Sequence, residues 1–100
     1  VNVAGVEPCY GELRNLVPES GGRFINVIDE QRRRRVAFIG DELATRVFDT
    51  EDPVGQTVML AGSPFTIVGV LRHKDQDSNY SGRDTGKLFM PASTFRALTG

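Results

Sequence analysis

A single cysteine and a single histidine are the residues of this chain best suited to nucleophilic chemistry. Cys9 and His73 could act with one of the 13 acidic side chains as nucleophile, general base and orienting carboxylate. Neither lies in a recognisable nucleophile turn, and Cys9 follows Pro8 at a predicted strand-to-helix junction, where cysteine usually packs as a small buried residue. We therefore expect structural roles for both and no catalytic pair.

Oxygen-bearing side chains alternate after His73 as they do in a calcium-binding loop: Asp75, Asp77, Asn79 and Ser81. The pattern fails at the sixth position, where the sharp turn needs glycine and the chain has Tyr80. It fails again at the twelfth position, where a bidentate glutamate is required and the chain has Gly86. We expect no metal site and a long, exposed polar loop over residues 73–86.

We expect this loop to be mobile and to become ordered, if at all, against a partner. Ordering one residue's backbone costs about 1–2 kcal/mol, and only Tyr80 could bury much apolar surface in return. Tyr80 is therefore the expected anchor of a partner contact, with Asp77 and Arg83 as charged neighbours. Two alternatives stay open: Tyr80 folds back onto its own domain, or the chain is a small enzyme or ligand-binding domain that uses the loop from Asp75 to Asp84.

Four consecutive arginines, residues 32–35, form a compact basic run that could touch phosphate. Acidic pairs precede the run (Asp29 and Glu30) and follow the next predicted strand (Asp41 and Glu42), so we favour a solvated face or an ion-pair network. Contact with a phosphate or a lipid headgroup is the alternative. The chain has 12 basic and 13 acidic residues and a formal charge of -1, which gives no net attraction for nucleic acid.

The composition is that of one ordinary globular domain, with 100 residues of which 39% are hydrophobic and 25% charged. The lone cysteine excludes an internal disulfide, and no glycine pattern matches a P-loop or a dinucleotide-binding motif, so we expect no cofactor. No signal peptide is evident, and no apolar run approaches the ~18 residues of a membrane span. Because the chain begins inside a predicted strand and without methionine, we expect it to be a piece of a longer protein, with any targeting or membrane segments outside it.

The elements that would hold these residues are short strands and short helices. Apolar, β-branched runs predict strands at 1–6, 36–39, 57–60, 65–71 and 88–90, and apolar residues at helical spacing predict helices at 10–17, 41–48 and 92–98. Within 23–28 we favour a helical turn capped by Asn26, with Asp29 reaching back, over a strand.

The remaining signals concern turns and the interior of the sheet. Asp52 begins a predicted type I turn that ends at Gly55, and residues 61–64 join the two strands of a predicted hairpin. The second hairpin strand is apolar on both faces, with Ile67 and Leu71 on one and Val70 on the other, so it belongs inside a sheet. We predict an α+β fold, a small mixed sheet with short helices packed on it, in a single-domain fragment.

Several sequence blocks, read in order, resemble the periplasmic core domain of the MacB-like permeases, the FtsX-related branch of ABC transporters. The blocks are Gly22-Arg23-Phe24, residues 35–40 (RVAFIG), Val47-Phe48, residues 52–57 (DPVGQT) and residues 64–71 (PFTIVGVL). The match extends from Val3 to Ser93-Thr94, nearly the whole chain. The matched residues are turn and core residues, so they identify a fold rather than a reaction.

The resemblance implies a non-catalytic domain on the periplasmic or extracytoplasmic face of the bacterial inner membrane. It implies that residues 1–100 form the later part of a core domain that lies between the first two membrane helices of a permease subunit. In such transporters the permease dimerises and a separate cytoplasmic ATPase supplies the energy. The periplasmic domain then couples the ATPase cycle to substrate export or to periplasmic adaptor proteins. The family pattern supplies no catalytic residue and no cofactor site for this chain.

Overall fold

In the part of the chain that the structure describes, the strands form one five-stranded mixed sheet, and four short α-helices accompany it. The computed structural model describes residues 2–49, 51–72 and 84–99. The strands are β1 (Asn2–Val6), β2 (Val36–Ile39), β3 (Thr57–Leu60), β4 (Ser63–Val70) and β5 (Lys87–Pro91), and the helices are α1 (Tyr10–Leu13), α2 (Val27–Gln31), α3 (Asp41–Phe48) and α4 (Ala92–Thr99). The radius of gyration is 12.5 Å, close to the ~13 Å expected of one compact domain of this length. The predicted α+β class and mixed sheet are confirmed.

The sheet order is β1-β5-β2-β4-β3, so the first and last strands are neighbours and β2 lies at the centre. β1 and β5 are parallel, as are β2 and β4, whereas β5 is antiparallel to β2 and β3 is antiparallel to β4. In the β1-β5 pair, Asn2 lies opposite Lys87 and Val6 lies opposite Pro91. β4, the strand predicted to lie inside the sheet, is paired on both sides.

Alternate residues of the central strands supply two separate cores, one on each face of the sheet. In β2, Ala37 and Ile39 belong to the core that α3 and α4 cover, and Phe38 belongs to the core on the opposite face. β5 divides its residues in the same way, and its Phe89 lies 6.1 Å from Phe38 between ring centroids. Because both sets are apolar, the central strands are buried on both faces.

A β-bulge in β4 changes which side chains enter which core. The pairing with β2 skips Val68, so the register shifts by one residue after Ile67. Val70 therefore packs in the same core as Ile67, and Leu71 packs in the opposite core. The predicted division of this strand is wrong at these two residues because a one-residue shift exchanges the faces, and simple alternation cannot reveal it.

The bulge lies under a crossing segment of the chain. The N–H of Arg23 donates a hydrogen bond of 2.9 Å to the carbonyl of Val68. A β carbon on Gly69 would overlap the backbone of Arg23, and a β carbon on Gly22 would lie 2.8 Å from the α carbon of Gly69. Two backbones approach here more closely than any side chain would permit.

Helix α1 is shorter than predicted, because it ends at Leu13 rather than at residue 17. Asn15 has a left-handed φ of 56°, and the N–H of Leu16 bonds to the carbonyl of Gly11 at 2.8 Å. These features form a Schellman motif, which ends a helix. Leu16 is buried although it lies beyond the end of α1. Its spacing of three residues from Leu13 resembles that of a helix, but the turn after α1, and not a second turn of helix, brings Leu16 into the core.

Helix α2 begins as the sequence predicts. The side chain of Asn26 accepts a hydrogen bond from the N–H of Asp29, and the side chain of Asp29 accepts one from the N–H of Asn26, each at 2.9 Å. This reciprocal pair is a capping box. The helix ends one turn later, where Arg33 adopts a left-handed φ of 49°.

Two turns differ in detail from the predictions. The hairpin between β3 and β4 uses two residues rather than four, Ala61 and Gly62, with φ of 51° and 79°, as a type I′ turn requires. After α3, the N–H of Gln56 bonds to the carbonyl of Pro53 at 3.0 Å. Gly55 is then the third residue of that turn, and its φ of 92° fits a type II turn rather than the predicted type I turn.

Candidate functional site

Asp29 carries a fully buried carboxylate at the start of α2. The guanidinium of Arg23 binds both carboxylate oxygens, at 2.7 and 3.3 Å, and the N–H of Asn26 donates to one of them. A second guanidinium, that of Arg34, lies 3.7 Å from the carboxylate. Because a buried charge is tolerated only when it is paired and hydrogen-bonded, these contacts tie the crossing segment, the helix start and the turn after α2 to one side chain.

Helices α2 and α4 meet at their ends and satisfy each other's terminal groups. The carboxylate of Glu30 accepts a hydrogen bond of 3.1 Å from the N–H of Ser93, and the hydroxyl of Ser93 donates to the carbonyl of Glu30. The hydroxyl of Thr94 donates to the carbonyl of Arg34 at 2.7 Å. The first N–H groups and last carbonyls of a helix lack partners within it, so this junction supplies them from the other helix.

Six arginines around this junction form what we call the arginine surface: Arg23, Arg32, Arg33, Arg34, Arg35 and Arg96. The side chains of Arg23 and Arg34 remain 41% and 43% exposed although both pair with Asp29, which is 0% exposed. Arg96 is 68% exposed and pairs with Glu30, which is 17% exposed. The acids therefore lie beneath the surface, and the guanidinium groups face water.

The predicted charge balance of the basic run holds only in part. The expected ion-pair network exists, because Arg34 pairs with Asp29. Asp41 and Glu42 begin α3 beyond the far end of β2, whose four residues span about 13 Å. They cannot neutralise a run that precedes β2, so the sequence places them near the arginines but the fold does not.

Acidic side chains gather at the opposite end of the sheet. A cavity of ≈ 250 Å³ there is lined by four of them, Glu19, Asp41, Asp49 and Glu51. Among the residues that the structure describes, no three His, Cys, Asp or Glu side chains are placed to hold a metal ion. The domain thus has a basic end and an acidic end although its formal charge is only -1.

Cys9 does not occupy the position that the sequence predicts for it. It is exposed and precedes the first residue of α1, so the expectation of a buried cysteine is wrong. The physical reason is that the sheet strand ends at Val6, which is buried, and the following turn carries Cys9 away from the core before Gly11 returns to it.

The other predicted site residues are His73 and the loop residues with their expected contacts at Asp77, Tyr80 and Arg83. Residues 73–83, which include all four, lie outside the described residues, so their roles stay predictions. The end of the predicted loop, Asp84–Gly86, is described and forms a short 3-10 helix rather than irregular loop. In the described ranges 2–49, 51–72 and 84–99, no helix is long and apolar enough to cross a membrane.

Sequence reasoning missed the junction between Glu30 and Ser93. The available signal was Pro91 followed by Ser93 and Thr94 at a predicted helix start, where hydroxyl side chains commonly bond to backbone groups. Their partners lie 60 and 63 residues away, and nothing in the sequence names them.

Comparisons with known proteins agree with one another. The family model described as "MacB-like periplasmic core domain" matches residues 1–100. The macrolide export ATP-binding/permease protein MacB of Bdellovibrio bacteriovorus is 36% identical over 72 residues, which are 72% of this chain and 11% of that protein. The MacB of Chlorobaculum tepidum is 31% identical over 102 residues, covering 89% of this chain and 16% of that protein. The chain therefore spans less than a fifth of these relatives' length.

Two solved structures share the fold. The periplasmic region of MacB from Actinobacillus actinomycetemcomitans superposes with a TM-score of 0.79 at 24% identity, covering 96% of this chain and 40% of that one. The extracellular domain of the noncanonic ABC-type transporter YknZ from Gram-positive bacteria superposes with a TM-score of 0.74 at 22% identity, covering 93% and 44%.

Proposed function

Because this chain belongs to the family of MacB-like periplasmic core domains, we propose that it couples the ATPase cycle of an ABC transporter to substrate export or to periplasmic partner proteins. It is a periplasmic domain, on the outer side of the bacterial inner membrane. In this proposal the parent permease dimerises and a cytoplasmic ATPase drives it. Residues 1–100 are then the later part of the core domain.

The observation that carries the proposal is the family match over residues 1–100, together with relatives that are named ATP-binding/permease proteins. The packing supports it. The two cores and the junction between α2 and α4 hold the domain as one unit. A close-packed unit passes on a displacement at one end rather than absorbing it, which is the property that coupling requires.

We propose that the domain has no catalytic role and that ATP hydrolysis takes place elsewhere in the parent. Two of the acidic groups, Asp29 and Glu30, are engaged in the fold, since Asp29 is buried in ion pairs and Glu30 binds the start of α4. Under this proposal, Cys9→Ala and His73→Ala leave transport by the parent nearly unchanged, which a transport assay on membrane vesicles would measure.

Cys9 offers a direct test of coupling, because it is the only cysteine of the chain and it is exposed. A spin label on Cys9, in the parent transporter with its other cysteines replaced, reports the distance between the two copies of the domain. We expect a measurable Cys9-to-Cys9 distance that changes between the nucleotide-free and ATP-bound states. The same distance in both states, in a transporter that hydrolyses ATP, would show that the domain does not follow the ATPase cycle.

We also propose, from the sequence alone, that Tyr80 with Asp77 and Arg83 contacts a partner such as a periplasmic adaptor protein. Amide hydrogen exchange on the isolated chain and on the assembled transporter tests this. Protection of Tyr80 that is gained only on assembly supports the contact. Strong protection in the isolated chain would assign Tyr80 to its own domain instead.

A further inference from the structure

The arginine surface is cationic although the whole chain is not. Its two acidic partners, Asp29 and Glu30, are 0% and 17% exposed, so an anion that approaches from solvent meets guanidinium groups first. The acidic residues lining the cavity near α3 lie at the other end of β2. The surface formed by the six arginines is therefore rich in positive charge, which the net charge of -1 does not describe.

These guanidinium groups keep donors that the ion pairs do not use. Each guanidinium has five N–H donors in a planar fork that matches the oxygens of phosphate. Arg34 approaches Asp29 through a single nitrogen, at 3.7 Å, and Arg32 and Arg35 are exposed. Binding to phosphate would thus add charge-assisted hydrogen bonds without breaking those that hold α2.

The arginines lie on an open surface and not in a pocket. The cavities beside α1, beside the acidic residues and between α3 and β3 are lined by other residues. A small free anion is best held in an enclosed site, whereas several exposed arginines side by side suit an extended array of phosphates. A bilayer surface presents such an array.

We propose that the arginine surface binds the phosphate groups of anionic lipid headgroups. This inference rests on the proposed function, because a permease holds the domain beside a membrane. Each basic residue near an anionic bilayer strengthens binding about fivefold, so two exposed arginines account for about a 30-fold difference. The attraction is weak for a free protein and sufficient to orient a tethered one.

The test is sedimentation of the purified 100-residue chain with vesicles of phosphatidylglycerol and phosphatidylcholine in equal parts, or of phosphatidylcholine alone, at low salt. We expect binding only to the vesicles that contain phosphatidylglycerol. The double variant Arg32→Gln/Arg35→Gln leaves Arg23, Arg34 and their bonds to Asp29 in place. It should reduce the partition coefficient about 30-fold, and Arg32→Lys/Arg35→Lys should retain most of the binding.

The matched control is Arg46→Gln/Arg72→Gln, which removes the same charge from α3 and from the end of β4. It should bind as the unmodified chain does, and circular dichroism verifies that all variants are folded. Equal losses in the two glutamine variants, or no preference for phosphatidylglycerol, would overturn the proposal.

Two further arms separate the sources of the anion. Release by inorganic phosphate beyond the release by chloride at equal ionic strength would assign the surface to free phosphate and overturn binding to the bilayer. Arg32→Gln/Arg35→Gln could instead reduce the pull-down of an acidic protein partner and leave binding to vesicles unchanged. That result would assign the surface to a protein and would also overturn binding to the bilayer. The Cys9 distance measurement, made in a zwitterionic bilayer, tests the proposed function independently, so the two can fail separately.

Discussion

Glu30 and Ser93 are joined by two hydrogen bonds that run in opposite directions. The N–H of Ser93 donates to the carboxylate of Glu30, and the hydroxyl of Ser93 donates to the carbonyl of Glu30. One bond uses the side chain of Glu30 and the other uses the side chain of Ser93, so each can be removed without the other, although truncating Glu30 also removes its ion pair with Arg96. Together they fix the start of the last helix to a helix formed 63 residues earlier.

We expect Glu30→Ala and Ser93→Ala each to lower the free energy of unfolding by about 0.5–1.5 kcal/mol. Because both bonds hold the same junction, losing one weakens the other, and the double variant should lower the free energy of unfolding by less than the sum of the single variants, by at least about 0.5 kcal/mol. Urea denaturation measures all three. Thr99→Ala is the control, since that hydroxyl bonds only to the carbonyl of Phe95 in its own helix. Simple additivity would contradict a joint role.

Arg23→Met should destabilise the domain because it leaves the carboxylate of Asp29 buried without its main cation. We expect the free energy of unfolding to fall by about 2–4 kcal/mol. This is less than the cost of breaking a completely buried ion pair, because Arg34 remains near the carboxylate. Adding Asp29→Asn to Arg23→Met should recover part of the loss, since a neutral amide needs no cation. Arg46→Met on the exposed side of α3 serves as the control, with a change within about 0.5 kcal/mol. Equal effects at residues 23 and 46 would show that the ion pair is not important.

Gly69→Ala should be among the most damaging single substitutions in the chain. Its β carbon would overlap the backbone of Arg23, so the crossing segment has to move, at a cost of about 3 kcal/mol. Gly86→Ala is the matched control, because among the residues that the structure describes, apart from its chain neighbours, none has an atom within 4 Å of its added β carbon. Thermal unfolding compares the two. A Gly69→Ala domain as stable as Gly86→Ala would mean that the crossing is looser than described.

Ala61→Asn should stabilise the hairpin between β3 and β4. Ala61 has a φ of 51°, which alanine tolerates poorly and asparagine adopts readily in the first position of a type I′ turn. We expect Ala61→Asn to raise the free energy of unfolding by about 0.5–1 kcal/mol. Gly62→Ala should lower it by a similar amount, because residue 62 has a φ of 79°. Denaturant midpoints measure both. Changes of the same sign would contradict the assigned turn.

Signals confined to a few neighbouring residues predicted their elements well. The Asn26-Asp29 capping box, helix α3 and the final helix after Pro91 each show a signal among residues close in sequence, and each was predicted. The bulge at Val68 could not be predicted, because it depends on the strand beside it.

The candidate site shows the same division. The ion pairing of the arginine run was predicted, but the burial of its acidic partners requires the crossing segment and α4, which only the fold brings there. Two of the blocks that carried the family resemblance are in contact in the fold: Gly22-Arg23-Phe24 crosses residues 64–71 at Gly69. The close approach of the two backbones explains why glycines occur in both blocks.

The pairing of β1 with β5 sets the order in which this domain can be completed. Asn2 finds its partner at Lys87, so β1 lacks this neighbour in the sheet until β5 has been synthesised. At ~5–20 residues per second, β1 waits for several seconds with its hydrogen-bonding edge unpaired. Closing so long a loop also slows folding relative to a domain built from local contacts.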